Sequence, residues 1–319
     1  MPSFEEFFEY VKKNIKSYMP EEYKECDLET TKRIKENDLH LEGFSLHRRC
    51  EGIHGTPLFY VEPYYSEYLQ HRDIEKAMRS IAEDYVQHEK MVNMIPQFNP
   101  FDYESVKVYI TYEVVNARFN TEYLKTVVHE TEADLAKVYQ MLFIGEHGAM
   151  GMRISEELFS RWNISRETLT SVANENMQRR MPAVFISAVD KALQKLDFPT
   201  EAREALKLAP EKDLYILTTE APIEGAAAVF YPGMMDMIHD YIGQDFYIVP
   251  VSKHEVFITS KNNIDAQRYG EELRKNNNRF RRTDEILSDC IYAYSKETGH
   301  IEVVPESMPK IVKMRGLER

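Results

Sequence analysis

The spacing of apolar residues changes repeatedly along this chain, and this change constrains the fold more than any other feature. From Ser3 to Pro20, apolar side chains recur every three or four residues, which predicts an amphipathic helix capped by Ser3 and ended by Pro20. Segments 26–35, 39–48 and 57–61 instead alternate partly between apolar and polar residues, which predicts strands. A chain that uses both periods in turn predicts an α+β fold.

Residues 26–61 predict a three-stranded antiparallel meander, and a second helix follows Pro63 and Asp73. The remainder predicts a mixed α/β C-terminal half with strand hairpins and packed helices. Its predicted strands are residues 106–115, for which a short helix is the alternative, and residues 135–144, 150–154, 214–218, 246–251, 255–259, 286–294 and 300–304. Its predicted helices begin at Ser155 and Ser165 and include residues 232–242 and 265–275.

Composition shifts divide the sequence into predicted parts. They are an N-terminal α+β unit at 1–95, a central α/β unit at 96–190, a linker-like helical segment at 191–210, a C-terminal α/β unit at 211–304 and a basic mobile tail at 305–319. The linker prediction rests on a charged composition and on two prolines, Pro199 and Pro210, around its second half.

The charge balance bears on the class of partner. The chain carries 40 Lys and Arg against 53 Asp and Glu, a net charge of −13. A polyanion would meet an unfavourable field, so nucleic-acid binding is disfavoured. The alternative is a local basic patch in which Arg179 and Arg180 join Arg279–Arg282, with Phe280 stacked on a base.

The N-terminal residues and the cysteines predict a cytoplasmic protein. Glu5, Glu6 and Glu9 stand where an export signal would be basic and then apolar. No apolar stretch approaches the roughly 18 residues that cross a bilayer, so no membrane association is predicted. The three cysteines are far apart, which excludes a disulfide framework and a Cys-x-x-Cys metal pair.

Several segments carry a resemblance that covers nearly the whole chain. They are Trp162–Ser165, Leu214–Thr218, Gly225–Pro232, Asp245–Val256 and Ile286–Asp289. In order and spacing they resemble DUF5688, a bacterial family of unknown function that is abundant in gut Firmicutes of the Lachnospiraceae type. Residues 214–258 are also similar to a second uncharacterised family, from bacilli. The resemblance implies the fold, a bacterial source and a cytoplasmic location, and it brings no reaction, cofactor or catalytic residue.

Ser252, His254 and Glu255 form the most interesting polar group in the sequence. They lie at the turn between two predicted strands, where loops commonly carry function. A histidine beside a carboxylate can exchange protons near neutral pH. The alternative function is therefore a hydrolase-type enzyme with an acid–base site at this turn, to which His129 or Glu130 contributes from another part of the chain. The other interpretation is an ordinary turn whose polar groups bind backbone and solvent.

Residues 129–134 read His-Glu-Thr-Glu-Ala-Asp, which is similar to a zinc-protease helix motif. Ala133 stands where the second histidine of that motif is needed, so the motif is absent. A cation site formed by the carboxylates of this segment is the alternative to a solvated acidic face.

Gly225–Ala228 lacks the glycine pattern of nucleotide sites, which favours close packing over phosphate binding. We predict no cofactor and no metal.

Methionines and tyrosines near residue 235 predict either an adaptable groove for a partner or core packing. These residues are Tyr231, Met234, Met235, Met237 and Tyr241. Cys290, in a predicted apolar strand, is interpreted as a small buried hydrophobic residue and not as a nucleophile.

The leading prediction is a cytoplasmic, non-catalytic protein that binds a protein partner or itself. Whether it is an enzyme, and whether it takes a small-molecule ligand, stays open.

Overall fold

The structure is a computed structural model that describes residues 2–48, 56–93, 98–145, 148–195, 213–221, 223–280 and 285–309. It comprises two compact units, residues 1–99 with 143–150 and residues 100–142 with 151–319. The division of the sequence into five parts stays a prediction. Residues 196–210 of the predicted linker, Arg281 and Arg282 of the predicted basic patch, and the tail from residue 310 onwards lie outside the described residues.

The first unit begins with the predicted helix, α1 (Phe4–Tyr18). The Ser3 hydroxyl accepts from the backbone N–H of Glu6 at 3.2 Å, and the Ser3 N–H donates to the Glu6 carboxylate at 2.8 Å. This reciprocal pair satisfies two helix-terminal donors, so the cap predicted from sequence is confirmed. The apolar stripe of α1 then buries Phe7, Phe8 and Val11 in the core of the unit.

The predicted meander is confirmed as a sheet of β1 (Asp27–Lys35), β2 (Leu39–His47) and β3 (Phe59–Tyr60), which pair antiparallel in that order. Two helices follow, α2 (Glu62–His71) and α3 (Ile74–Asn93). The sequence predicts only the second of them. The tyrosines of α2 are only partly buried against the core, so the helix lacks the strong apolar stripe that would have indicated it.

A second sheet contains β4 (Ile110–Asn116), β5 (His129–Glu132), β6 (Leu135–Gly145) and β7 (Gly148–Arg153), in the order β4-β6-β5 with β7 paired to β6. The prediction of a strand from residue 106 is wrong over its first turn. There the chain forms helix α4 (Tyr103–Val106) and a 3-10 turn, because the Asp102 side chain accepts from the Glu104 N–H and starts a helix.

Two capped helices follow, as the sequence predicts: α5 (Glu156–Trp162) after Ser155 and α6 (Arg166–Arg180) after Ser165. The rest of the chain builds a six-stranded sheet in the order β13-β12-β10-β11-β9-β8, with antiparallel neighbours throughout. Its strands are β8 (Ala183–Ser187), β9 (Leu214–Thr219), β10 (Phe246–Ser252), β11 (Glu255–Ser260), β12 (Tyr292–Ser295) and β13 (His300–Val303). Its helices are α7 (Ala188–Lys195), α8 (Met234–Ile242) and α9 (Ala266–Phe280). The α+β fold class is confirmed.

The predicted strand at 286–294 is wrong before residue 292, and Cys290 therefore lies ahead of β12 and not within a strand. In that segment, side chains make hydrogen bonds to backbone groups that a neighbouring strand would otherwise bind. The Ser288 hydroxyl accepts from the Cys290 N–H at 3.0 Å, and the Asn277 amide donates to the Ser288 carbonyl at 3.0 Å. Local bonds of this kind compete with a strand ladder.

No helix within the described ranges is long and apolar enough to cross a membrane.

Candidate functional site

The three residues of the predicted acid–base group lie together at the turn that joins β10 and β11. Ser252 pairs with Glu255 across the hairpin, and the buried Ser252 hydroxyl accepts from the backbone N–H of His254 at 3.1 Å. The Glu255 carboxylate binds the Lys191 ammonium at 2.8 Å. These contacts are of the kind that hold a polar turn in one conformation.

A short 3-10 helix, Gly225–Phe230, packs directly against this turn. The Ala226 N–H donates to the Lys253 carbonyl at 3.1 Å, and the Thr218 hydroxyl donates to the His254 carbonyl at 2.8 Å. A β-carbon at Gly225 would lie 2.0 Å from that same carbonyl oxygen. Position 225 requires glycine because the turn backbone lies too close for a side chain. The close-packing interpretation of the small-residue segment is therefore confirmed.

His129 and Glu130 lie on β5 and bind other elements. The His129 Nδ1 lies 3.1 Å from the Val127 carbonyl oxygen. The Glu130 carboxylate binds the Lys137 ammonium of β6 at 2.7 Å and accepts from the Thr170 hydroxyl of α6 at 2.6 Å. Burial by itself would raise the pKa of Glu130, but hydrogen bonds from Lys137 and Thr170 outweigh it and lower that pKa. Glu130 is therefore held as a carboxylate between a strand and a helix.

The other acidic residues of the segment 129–134 also have separate partners. Glu132 accepts from the Ile301 N–H at 3.1 Å. Asp134 binds the Arg118 guanidinium at 2.8 Å and accepts from the Tyr292 hydroxyl at 2.6 Å. Over the ranges that the structure describes, no group of three His, Cys, Asp or Glu side chains is placed to hold a metal ion. The carboxylates of this segment bind side chains and backbone groups of neighbouring elements.

Cys290 is fully buried, and its sulfur accepts from the Arg118 guanidinium at 3.1 Å. Burial raises the pKa of the Cys290 thiol, and the nearby Arg118 opposes that shift only in part. A protonated, buried thiol is a poor nucleophile. The geometry agrees with the interpretation of Cys290 as a small buried hydrophobic residue.

A cavity of about 10 Å³ lies inside the second unit, with room for about one water molecule. Its walls are mainly aliphatic, and Tyr292 contributes the one aromatic ring. A cavity of this size cannot enclose an organic substrate.

A group of charged residues that no sequence pattern indicated fixes α8 to the six-stranded sheet. The Asp236 carboxylate binds the Lys296 ammonium and accepts from the Tyr294 hydroxyl, both at 2.7 Å. Those two contacts lower the pKa of Asp236. His239 lies between Asp240 and Asp245, with ring nitrogens 3.6 and 3.5 Å from their carboxylate oxygens. These contacts set which face of α8 points outward.

The outward face of α8 carries Met237 and Tyr241, which are 52% and 67% exposed and lie one helical turn apart. The Tyr241 ring packs edge-on against Phe185 of β8 and Tyr215 of β9, both at 5.6 Å between centroids. The rings of Phe185 and Tyr215 are themselves stacked at 4.9 Å. We call these four residues, Phe185, Tyr215, Met237 and Tyr241, the aromatic surface.

The methionines and tyrosines of this segment are divided between the core and the surface, and the groove for a partner stays a prediction. Met235 and Tyr231 are buried in the core, whereas Met237 and Tyr241 are exposed. Phe185 was not identified from sequence. The clue to it is the uncharged run directly after Pro182, which has the β-branched and aromatic content of a strand.

Of the predicted basic patch, Arg180 binds backbone carbonyls, including that of Leu142 at 2.7 Å. Arg179 donates to the Asn176 side chain at 2.8 Å. The N–H donors of Arg180 are consequently engaged within the protein, which leaves fewer of them to contact a phosphate backbone.

Taken together, the geometry defines an α+β protein whose polar turn is packed and in which two of the exposed apolar side chains, Met237 and Tyr241, lie beside two further aromatic rings. Residues 4–296 match a family described as Family of unknown function (DUF5688), and the chain therefore belongs to that family. Neither the curated proteins nor the solved structures compared with it contain a match.

We expect Gly225→Ala to destabilise the second unit by about 1–3 kcal/mol, because the new methyl group overlaps the turn backbone. Trp162, the only tryptophan of the chain, lies in that unit, so urea unfolding followed by its fluorescence measures the change. Glu157→Gln is the control, since it changes a side chain of the same unit that is 80% exposed. Equal stability of the two variants would contradict the packed turn.

Glu130→Gln should lower stability by about 1 kcal/mol at neutral pH, a value reduced because the carboxylate is about one-third exposed. The pKa of Glu130 is lower in the folded chain, so the contribution is complete above the unfolded pKa of roughly 4.3 and is lost as pH falls through the folded pKa. Urea unfolding at several pH values should show the difference from wild type shrinking towards acid.

The control is Glu157→Gln, which removes an exposed helix pair with Arg161 and should change stability by only about 0.3–0.5 kcal/mol. A difference between wild type and Glu130→Gln that stays constant into acid would show that the charge of Glu130 does not matter.

Proposed function

We propose that this protein works by binding a protein partner, or another copy of itself, through the aromatic surface. The observation that supports this most directly is the placement of Met237 and Tyr241 side by side, more than half exposed, next to the rings of Phe185 and Tyr215. A soluble protein exposes single apolar side chains commonly, but contiguous apolar groups usually mark an interaction site.

The residue types of the aromatic surface suit protein recognition. Tyrosine, phenylalanine and methionine are enriched at interfaces because they bury much apolar area. Tyrosine also fixes few rotatable bonds when it is ordered, which keeps the entropic cost of binding low. The Tyr241 hydroxyl gives the surface a polar group at its exposed end.

The surface is also preorganised. Tyr241 is confined by two ring contacts, and α8 is fixed by the bond from Tyr294 and the ion pair of Lys296 with Asp236. A surface that is ordered before binding loses less conformational entropy on association. The packed turn at Ser252 is consistent with a structural use of the polar residues in the same unit.

A net charge of −13 favours a protein partner over a nucleic acid. We also propose that the protein is cytoplasmic and that its source is a bacterium of the Lachnospiraceae type. The hydrolase-type alternative at Ser252, His254 and Glu255, with His129 or Glu130, stays a prediction.

Selection from a library of random peptides displayed on phage tests the proposal. The immobilised full-length chain should enrich peptides that bind it, and the double variant Met237→Ser with Tyr241→Ser should bind the enriched peptides about 30-fold more weakly. The loss follows from removing the two exposed anchors while the buried face of α8 is unchanged.

The matched control is Tyr269→Ser, which removes another exposed tyrosine, on α9. Peptides that bind wild type and the double variant equally well would contradict the aromatic surface as the binding site. Enrichment of no peptide at all would contradict the binding function.

A further inference from the structure

The geometry points to a second copy of this chain as the partner, added antiparallel along the outer edge of β8. This inference rests on the proposed binding function and names its partner. It arises from the backbone of β8, which lies beside the aromatic surface and contributes Phe185 to it.

β8 is the last strand of the six-stranded sheet. One side of it pairs with β9 along its whole length, from Ala183 opposite Thr219 to Ser187 opposite Tyr215. On its other side, no strand among the described residues pairs with it. The N–H and C=O groups that point outward there are a template for another strand.

The residues of β8 include no charge, no proline and no bulge that would hinder strand addition. Edge strands are normally blocked by lysine, by proline or by a bulge. The sequence Ala-Val-Phe-Ile-Ser contains no charge and no proline, and it pairs with β9 in unbroken register. All its residues are partly exposed, so the strand is accessible as well as unblocked. An edge of this kind is suited to pairing with another strand.

The pattern of β8 is complementary to itself. In an antiparallel pair related by a two-fold axis at Phe185, Ala183 lies opposite Ser187 of the other copy, and Val184 lies opposite Ile186. Small residues then face small residues, and β-branched residues face β-branched residues, as a symmetric contact requires. The two Phe185 rings meet at the axis, which would join the two aromatic surfaces.

Charge favours this place for contact between copies. Two chains with net charge −13 repel each other, so they are expected to meet where charge is absent, as it is along β8. Arg179 and Arg180 precede the strand, and Asp190 and Lys191 follow it, so the charges at the two ends do not select a direction.

Charge-swapped variants at the axis test the inference. Wild type should sediment with twice the mass of one chain, whereas Phe185→Lys and Phe185→Glu should each be monomeric, because like charges would lie directly opposite. An equimolar mixture of the two variants should recover the dimer, since Lys then faces Glu. Phe101→Lys, which changes an exposed phenylalanine outside β8, is the control and should remain dimeric.

A second pair of variants covers the case in which a charge at position 185 disturbs the stacking on Tyr215. Val184→Lys mixed with Ile186→Glu places unlike charges opposite each other in the same register, and circular dichroism checks that each variant is folded. The mixture should be dimeric at concentrations at which each variant alone is monomeric.

A monomeric wild type, dimers of Phe185→Lys alone, or mixtures that stay monomeric would each overturn the inference. If wild type is monomeric but selected peptides still require Met237 and Tyr241, only the second copy as partner fails. If the peptide selection fails as well, the binding function fails with it.

Discussion

Asp134 holds together the parts of the second unit on which the candidate surface depends. Its carboxylate binds Arg118, just after β4, at 2.8 Å and accepts from the Tyr292 hydroxyl of β12 at 2.6 Å. Its backbone carbonyl accepts from the Ala117 N–H at 2.7 Å. The side chain is mostly buried, so the loss of one partner would leave a charged acceptor poorly satisfied, at a cost of about 1–3 kcal/mol. Asp134 thereby connects the four-stranded sheet to β12 of the six-stranded one.

From β12, a series of antiparallel pairings leads through β10, β11 and β9 to β8. The middle of this sheet is core: its polar turn at Ser252 packs on Gly225, and Glu255 binds α7. The far end differs, because β8 has one strand neighbour within the part of the chain that the structure describes and its residues are partly exposed. Ser252 and Glu255 make contacts within and beside the turn, and the aromatic residues beside the sheet edge are partly or largely exposed. Interaction sites commonly lie on such exposed elements of a rigid scaffold.

The sequence predicted the elements whose causes are local. Ser3 caps its helix through a bond to a residue three positions away, and the β10–β11 hairpin follows from alternation on both sides of a short polar turn. The placement of Ser252 beside Glu255 follows from that hairpin. The missed features have distant causes: the backbone before Tyr292 is bound by Asn277 and Ser307, and Tyr241 meets Phe185 only after folding. β8 reads Ala-Val-Phe-Ile-Ser, an apolar run without the alternation of apolar and polar residues that would have indicated a strand.

Backbone hydrogen exchange along β8 tests the central claim most directly, because it monitors the outward N–H groups of the edge itself. If a second copy adds there, exchange in residues 183–187 should slow as protein concentration rises, while the opposite edge strand β13 should exchange at the same rate at every concentration. Exchange in β8 that is independent of concentration would contradict the account and would show that this edge has no second copy bound to it.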